Sequence, residues 1–329
     1  MNENHIKTLR IENFKSIKEM DLECSRINVF VGKPNVGKSN ILEAIGLYGI
    51  DGNHPDKFIR FEQIKNFFPF NDNKLEVKIK SDLGDIKINF DRENGLYHYE
   101  FMSYKPVDGR LEGSFSWRNN GEVSTSEGKI SLKKVKKYSF KPYDEKFNSN
   151  ELYLVPPHGN NLFTILETNS DLSEEAGLAF QAYGLELTMD TERSKILIQR
   201  KIRGLSYFIP FNLVADTLQR KLFHYAAIHS NEDTVILFEE PESHAYPPYI
   251  SSLAYKMIDA ESNQFFVSTH SPYLLTTLME NTPPEDLSIF VATYKDYETQ
   301  IYKLNEQDYA DITNNGVDLF FNLRWFDNE

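Results

Sequence analysis

The chain has 329 residues, 40% of them hydrophobic and 26% charged, with a formal net charge of −13 and one cysteine, Cys24. A single cysteine excludes an intramolecular disulfide and a cysteine-rich zinc site, which fits a reducing compartment, and the acidic balance excludes a surface that is basic throughout. No basic opening segment leads into an apolar one and no run of about 18 apolar residues occurs, so the expectation is a cytoplasmic protein without a membrane span.

Residues 6–11 read as a first strand, with Leu9 and Ile11 on one face, and a second strand follows around 20–22. The continuous apolar run 27–31 has the texture of a parallel strand buried on both faces. Glycines follow at once, and then Ile41, Leu42, Ala44 and Ile45 recur at helical spacing across 40–48. From 75 to 138 short segments alternate with period two between Gly84, Gly95, Gly109, Gly113, Gly121 and Gly128, which predicts an antiparallel meander sharing a lobe with the N-terminal strands. Residues 160–183 predict one or two helices and 195–201 a strand. Beyond Pro210 the order is helix (213–228), strand (234–238), helix (248–258) and strand (264–268), an alternation that implies a parallel sheet with crossover helices.

Gly32-Lys33-Pro34-Asn35-Val36-Gly37-Lys38-Ser39 matches GxxxxGK[ST] in full and sits between a buried strand and a helix, where a phosphate loop must sit. The glycines let backbone amides turn towards phosphate oxygens, and the helix that begins near Asn40 adds its positive end. Lys38 then reaches the β- and γ-phosphates while the Ser39 hydroxyl ligates magnesium, so ATP and Mg2+ are the expected cofactors. Residues 235–238 form an apolar strand that ends in Glu239 and Glu240. In phosphate-loop enzymes the first such position serves the magnesium shell and the second polarises the attacking water. Alternation along a strand would point the two apart unless the chain turns there. A third apolar run, 264–267, leads through Ser268 and Thr269 to His270, whose neutral imidazole would order that water or bind the γ-phosphate.

In this order and spacing the motifs resemble the ABC-type ATPases related to RecF, SMC and the OLD (overcoming lysogenization defect) family. Leu9-Arg10-Ile11-Glu12-Asn13-Phe14-Lys15-Ser16-Ile17 looks like the family's first strand and loop, and Phe238-Glu239-Glu240-Pro241-Glu242-Ser243-His244 like its Walker B strand. Ser268-Thr269-His270-Ser271-Pro272 is similar to its H-loop, and the Glu-Pro-Glu-x-His and Thr-His-Ser-Pro runs bring the OLD branch nearest. The resemblance implies an α/β fold, a P-loop ABC ATPase head with a mostly parallel core sheet flanked by helices, plus an antiparallel β lobe and a short helical insert. A single two-lobed domain over 1–329 is expected: N-terminal strands, phosphate loop and helix in 1–73, antiparallel lobe in 74–155, insert and strand in 156–205, and the remaining motifs in 206–329.

The resemblance also implies an ATP-sandwiched homodimer, or a higher oligomer, in which a signature segment of one copy caps the γ-phosphate on the other. Ala215, Asp216 and Thr217 occupy the equivalent stretch without any glycine, which puts the hydrolysis rate in question; Asp216 or Thr217 would cap the helix that follows. Gln63 is the candidate glutamine of the lid and a metal ligand, or an ordinary surface glutamine. The tail lacks the acidic arrangement of a Toprim nuclease, so no nuclease centre is expected and a separate effector protein is. Lys129, Lys133, Lys134, Lys136, Lys137 and Lys141, with Tyr138 and Phe140, suit a nucleic-acid backbone or a solvated strand face, with Lys133, Lys134, Lys136 and Lys137 as the candidate contacts, and Arg193, Lys195, Arg200, Lys201 and Arg203 form a second basic cluster. Phe320, Phe321, Trp325 and Phe326 would dock the C-terminus onto the head or meet a partner. The implied setting is antiviral defence or genome maintenance; a slow nucleotide switch and a stand-alone RecF-like repair ATPase are the alternatives.

Overall fold

The computed structural model describes residues 4–50, 55–107, 110–128, 132–142, 149, 151–315 and 318–323. In chain order come strands β1 (Thr8–Phe14), β2 (Ile17–Glu23) and β3 (Ile27–Gly32), helix α1 (Lys38–Gly46), and strands β4 (Val77–Ser81), β5 (Gly84–Asp91), β6 (Leu96–Val107), β7 (Arg110–Trp117), β8 (Val123–Glu127) and β9 (Val135–Tyr138). Helices α2 (Leu162–Thr168) and α3 (Ser170–Gln181) precede strands β10 (Glu186–Asp190), β11 (Lys195–Ile202) and β12 (Leu205–Pro210) and helix α4 (Asp216–His229). The rest is β13 (Val235–Glu239), α5 (Pro247–Asp259), β14 (Gln264–Ser268), α6 (Pro272–Asn281), β15 (Leu287–Lys295), β16 (Glu298–Lys303) and α7 (Glu306–Asn315).

Two compact units divide the chain. The first comprises Met1–Lys137, Asp233–Glu240 and Ser262–Glu329. It holds a seven-stranded antiparallel sheet, ordered β2-β1-β4-β5-β6-β7-β8, and a six-stranded sheet, ordered β16-β15-β3-β14-β13-β9. In the second sheet β3 runs parallel to both β14 and β15, and β13 parallel to β14. Every residue of β3 is buried, as its unbroken apolar run requires of a strand covered on both faces. In the antiparallel sheet burial alternates, so that Val77 and Ile79 of β4 and Ile86 and Ile88 of β5 turn inward. They join Ile41, Leu42 and Ile45 of α1, Leu237 of β13 and Phe266 of β14 in one core.

The second unit comprises Tyr138–Glu232 and Pro241–Glu261. Its helices α4 and α5 pack together. On α5, Ile250, Leu253, Ala254 and Met257 are buried at i, i+3, i+4 and i+7, and Pro247 and Pro248 open the helix where no N–H is needed. The strand expected over 195–201 is the middle one of a three-stranded antiparallel sheet, β10-β11-β12. Helix α4 starts at Asp216, three residues later than its apolar spacing predicts, because Phe211–Leu213 forms a 3-10 turn instead. Among the described residues no helix is long and apolar enough to cross a membrane.

Candidate nucleotide site

The phosphate loop leaves β3 at Gly32, with backbone φ of +149°, and turns into α1 through Asn35 at +63° and Gly37 at +96°. Glycine is required at both ends of this turn. A Cβ on Gly32 would lie 2.4 Å from Ala292 O of the neighbouring strand, and one on Gly37 would lie 2.0 Å from Thr299 Oγ1. Lys33, Pro34 and Asn35 are exposed at the loop's crest and Val36 is buried beneath it. Thr299 holds the loop from below by donating to Val36 O at 2.9 Å. Having spent its one proton there, it must accept from Ser16 Oγ at 2.6 Å, and Ser16 in turn accepts from Asn40 Nδ2 at 2.7 Å. Asn40 thereby ties the start of α1 to the loop after β1. The buried Lys38 ammonium donates to Gly32 O at 2.9 Å and Lys33 O at 2.8 Å.

The carboxylates lie at the carboxyl end of β13, beside the end of β14. Glu240 has φ of +45° and its N–H donates to Ser268 O at 2.9 Å. That left-handed residue interrupts the strand's alternation just where the two successive carboxylates stand. Glu239 accepts a hydrogen bond from the Ser39 hydroxyl and pairs with Arg60 Nη2 at 3.1 Å and Lys137 Nζ at 3.3 Å. Burial raises the cost of its charge, but Lys137, Ser39 and Arg60 together outweigh burial and hold the carboxyl below its usual range. His270 Nε2 stands 3.5 Å from Glu240 Oε1. Burial and the Lys38 charge push its imidazole down against the opposing pull of Glu240, so it is neutral near pH 7.

Behind Glu239 is a buried ionic cluster that the motifs did not announce. Glu43, fully buried on α1, pairs with Lys15, with Arg60 Nε at 2.8 Å and more loosely with Lys137 Nζ at 4.0 Å. The signal in the sequence was Glu43 itself, a carboxylate inside the apolar run 41–45, since such a group stays buried only when paired. Arg60 carries none; it stands three residues from the expected lid residue.

Gln63 does not join this group. It is exposed, its backbone N–H donates to Asn66 Oδ1 at 2.8 Å at the start of the 3-10 turn Ile64–Phe67, and its Oε1 accepts from Asn119 Nδ2 at 3.1 Å. The run of four lysines is split by strand formation: Lys133 and Lys134 are exposed, whereas Lys136 and Lys137 are buried in β9 and Lys137 faces Glu239. In the second unit Ala215 is the N-cap of α4 and offers no side-chain cap. Neither Asp216 nor Thr217 caps the helix, because Asp216 pairs with Arg220 at 2.6 Å and Thr217 Oγ1 donates to His244 O at 3.1 Å. Phe321 is 86% exposed, contrary to its expected docking, and Lys129, Trp325 and Phe326 lie outside the described residues.

Among the described residues no cluster of three or more His, Cys, Asp or Glu side chains could enclose a metal. The hydrogen-bonded pair of Ser39 hydroxyl and ionised Glu239 does fit one: these are hard oxygen donors of the kind magnesium takes when phosphate and water complete its shell.

A family model described as "AAA domain, putative AbiEii toxin, Type IV TA system" matches residues 27–276. An "ATP/GTP phosphatase" of Helicobacter pylori is 21% identical over 356 aligned positions, covering 92% of this chain and 93% of that protein. A segment of 44 residues, 13% of this chain and 20% of the relative, is 48% identical to an uncharacterised protein of Methanocaldococcus jannaschii. The fold is similar to an Smc head solved with the C-terminal winged-helix domain of ScpA, with a TM-score of 0.56 at 15% identity over 92% of this chain and 99% of that one. It is also similar to an Smc head with an extended coiled coil, bound to the C-terminal domain of ScpA derived from Pyrococcus furiosus, with a TM-score of 0.50 at 13% identity over 94% and 99%. With the family model matching residues 27–276, most of its length, the chain belongs to that AAA-domain family, and its fold is that of the Smc heads.

Proposed function

We propose that the chain binds Mg-ATP, hydrolyses it, and in its ATP-bound form pairs with a second copy to control a separate effector protein. Lys38 exchanges its bonds to Gly32 O and Lys33 O for β- and γ-phosphate oxygens. Ser39 and Glu239 would hold the magnesium, which would supply neutralisation of phosphate charge there. Glu240 accepts the proton of the attacking water, and the neutral His270 hydrogen-bonds that water or a γ-phosphate oxygen. The observation that supports this most is the meeting of Ser39 with Glu239, and of Glu240 with His270 at 3.5 Å, at the ends of adjacent parallel strands.

Hydrolysis has a further support in the Helicobacter pylori relative, named for phosphatase activity on ATP and GTP. A protein partner has one in the Smc heads, both solved with a piece of ScpA bound. The start of α4, with exposed Ala215 and no side-chain cap, leaves first-turn amides for a second copy's nucleotide. Control of a nucleic acid has less behind it, since of the four lysines only Lys133 and Lys134 are exposed. Antiviral defence or genome maintenance, as in OLD-like systems, is the setting this reading favours. A slow ATP switch is the second reading, favoured by the two cations on Glu239 and by the missing glycine at 215–217.

Sedimentation with a non-hydrolysable ATP analogue and magnesium tests the proposal. Wild type is expected to double in mass, and Lys38→Ala to bind no nucleotide and stay monomeric. A monomer in both, or identical nucleotide binding by both, would refute it. Phosphate release by the wild type separates hydrolysis from the switch.

A further inference from the structure

The Glu239 carboxylate has two cationic neighbours, and they differ in what they can do when they leave it. The Arg60 side chain is 66% exposed and can turn to water. The Lys137 side chain is only 6% exposed, and its ammonium also donates to Phe58 O at 3.0 Å. Releasing Lys137 into an apolar interior would leave a buried charge unpaired, which is prohibitive without a second carboxylate. One is in place: Glu43 Oε1, fully buried, lies 4.0 Å from Lys137 Nζ. Glu43 stands four residues after Ser39 on α1, so the second acceptor and the metal's hydroxyl donor project from the same face of one helix.

We propose that Lys137 is a positioning residue for the metal site: it aims Glu239, competes with the divalent cation for that carboxylate, and yields by shifting to Glu43. This rests on Ser39 and Glu239 holding the metal. Lys15, Arg60 and Lys137 meet three carboxylates, Glu43 and Glu239 by ion pairs and Glu240 through its pull on Arg60. With its carboxylates already matched by cations, the cluster holds no net negative charge to draw a bare divalent cation, so the triphosphate brings it. Metal binding is in this way made conditional on nucleotide by a side chain that need never touch substrate.

The test is the magnesium concentration that half-saturates binding of a fluorescent ATP analogue, read by fluorescence on the full chain without turnover. Lys137→Met and Lys137→Gln remove the competitor, and each is expected to lower that concentration about fivefold, the worth of one modest ion pair. Lys137→Arg keeps the charge and should stay near wild type. Glu43→Gln removes the second acceptor and should move the value the opposite way, upward. Melting curves identify the variants that fold, and the two neutral variants are interchangeable for this purpose. Wild-type half-saturation in a folded neutral variant, or a fall in Glu43→Gln, overturns the role of Lys137 alone. If magnesium has no effect on analogue binding by the wild type, the metal assignment and this inference fall together.

Discussion

At the scale of single residues, the phosphate loop was legible and its supports were not. Gly32, Gly37, Lys38 and Ser39 announce themselves because the chemistry leaves no other residue types free at those spacings. Thr299 stands 283 positions from Ser16 and is an anonymous hydroxyl in a strand, yet it closes the chain Asn40–Ser16–Thr299–Val36 beneath the loop. Lys137 was misread for a related reason: a run of lysines says nothing of which ones a strand will turn inward. Thr299→Val keeps the shape and removes the hydroxyl, leaving Val36 O and the Ser16 proton without their partner. A stability loss of about 1–3 kcal/mol in chemical denaturation, with weaker nucleotide binding, is expected; an unchanged midpoint and affinity would show that the network supports nothing. Gly37→Ala, which meets Thr299 Oγ1 at 2.0 Å in a left-handed backbone, should lose nucleotide binding outright.

At the scale of elements, hydrophobic period was a sound guide wherever one face meets the core. It located β3, α1, the antiparallel meander, α5, β13 and β14. It gave no warning of β12, whose residues are mostly exposed and so lack alternation. Strand β15 carries a sequence signal like that of β3, the largely apolar run Leu287-Ser288-Ile289-Phe290-Val291-Ala292, and is likewise buried along it. Helix α4 carries a consequence for pH. Its His224 is buried, and burial, aided by the Arg220 charge, pushes the imidazole from 6.5 down to about 3. A folded-state value below the unfolded one means that the unfolded chain takes up the proton first. Stability from this group is therefore full above pH 6.5 and is lost as the pH falls towards about 3. His224→Gln should flatten the fall in stability between pH 7 and 5 by up to ~1.4 kcal/mol per unit; denaturation midpoints with the same pH slope as wild type would argue against it.

At the scale of the whole molecule, the site is assembled from distant stretches of one unit. Its residues come from the loop after β1, the phosphate loop, the segment holding Arg60, β9, the end of β13 and the turn after β14. Parallel neighbours of β3 bring the later pieces in, since β14 and β15 flank it. The motif order foretold that convergence; the ionic cluster behind it depends on side-chain burial in three dimensions. The chain leaves this unit directly after Lys137 and again directly after Glu240, so both crossings into the second unit begin at residues of the site. The most direct measurement is ATP retained and phosphate released by Glu240→Gln on one sample with magnesium. Stoichiometric retention with turnover reduced by about 10²–10⁴-fold is expected, because a lost general base leaves Lys38 and Ser39 to bind as before. Turnover at the wild-type rate would contradict the assignment of Glu240, and with it the single site in which Lys38, Ser39, Glu239 and His270 act together.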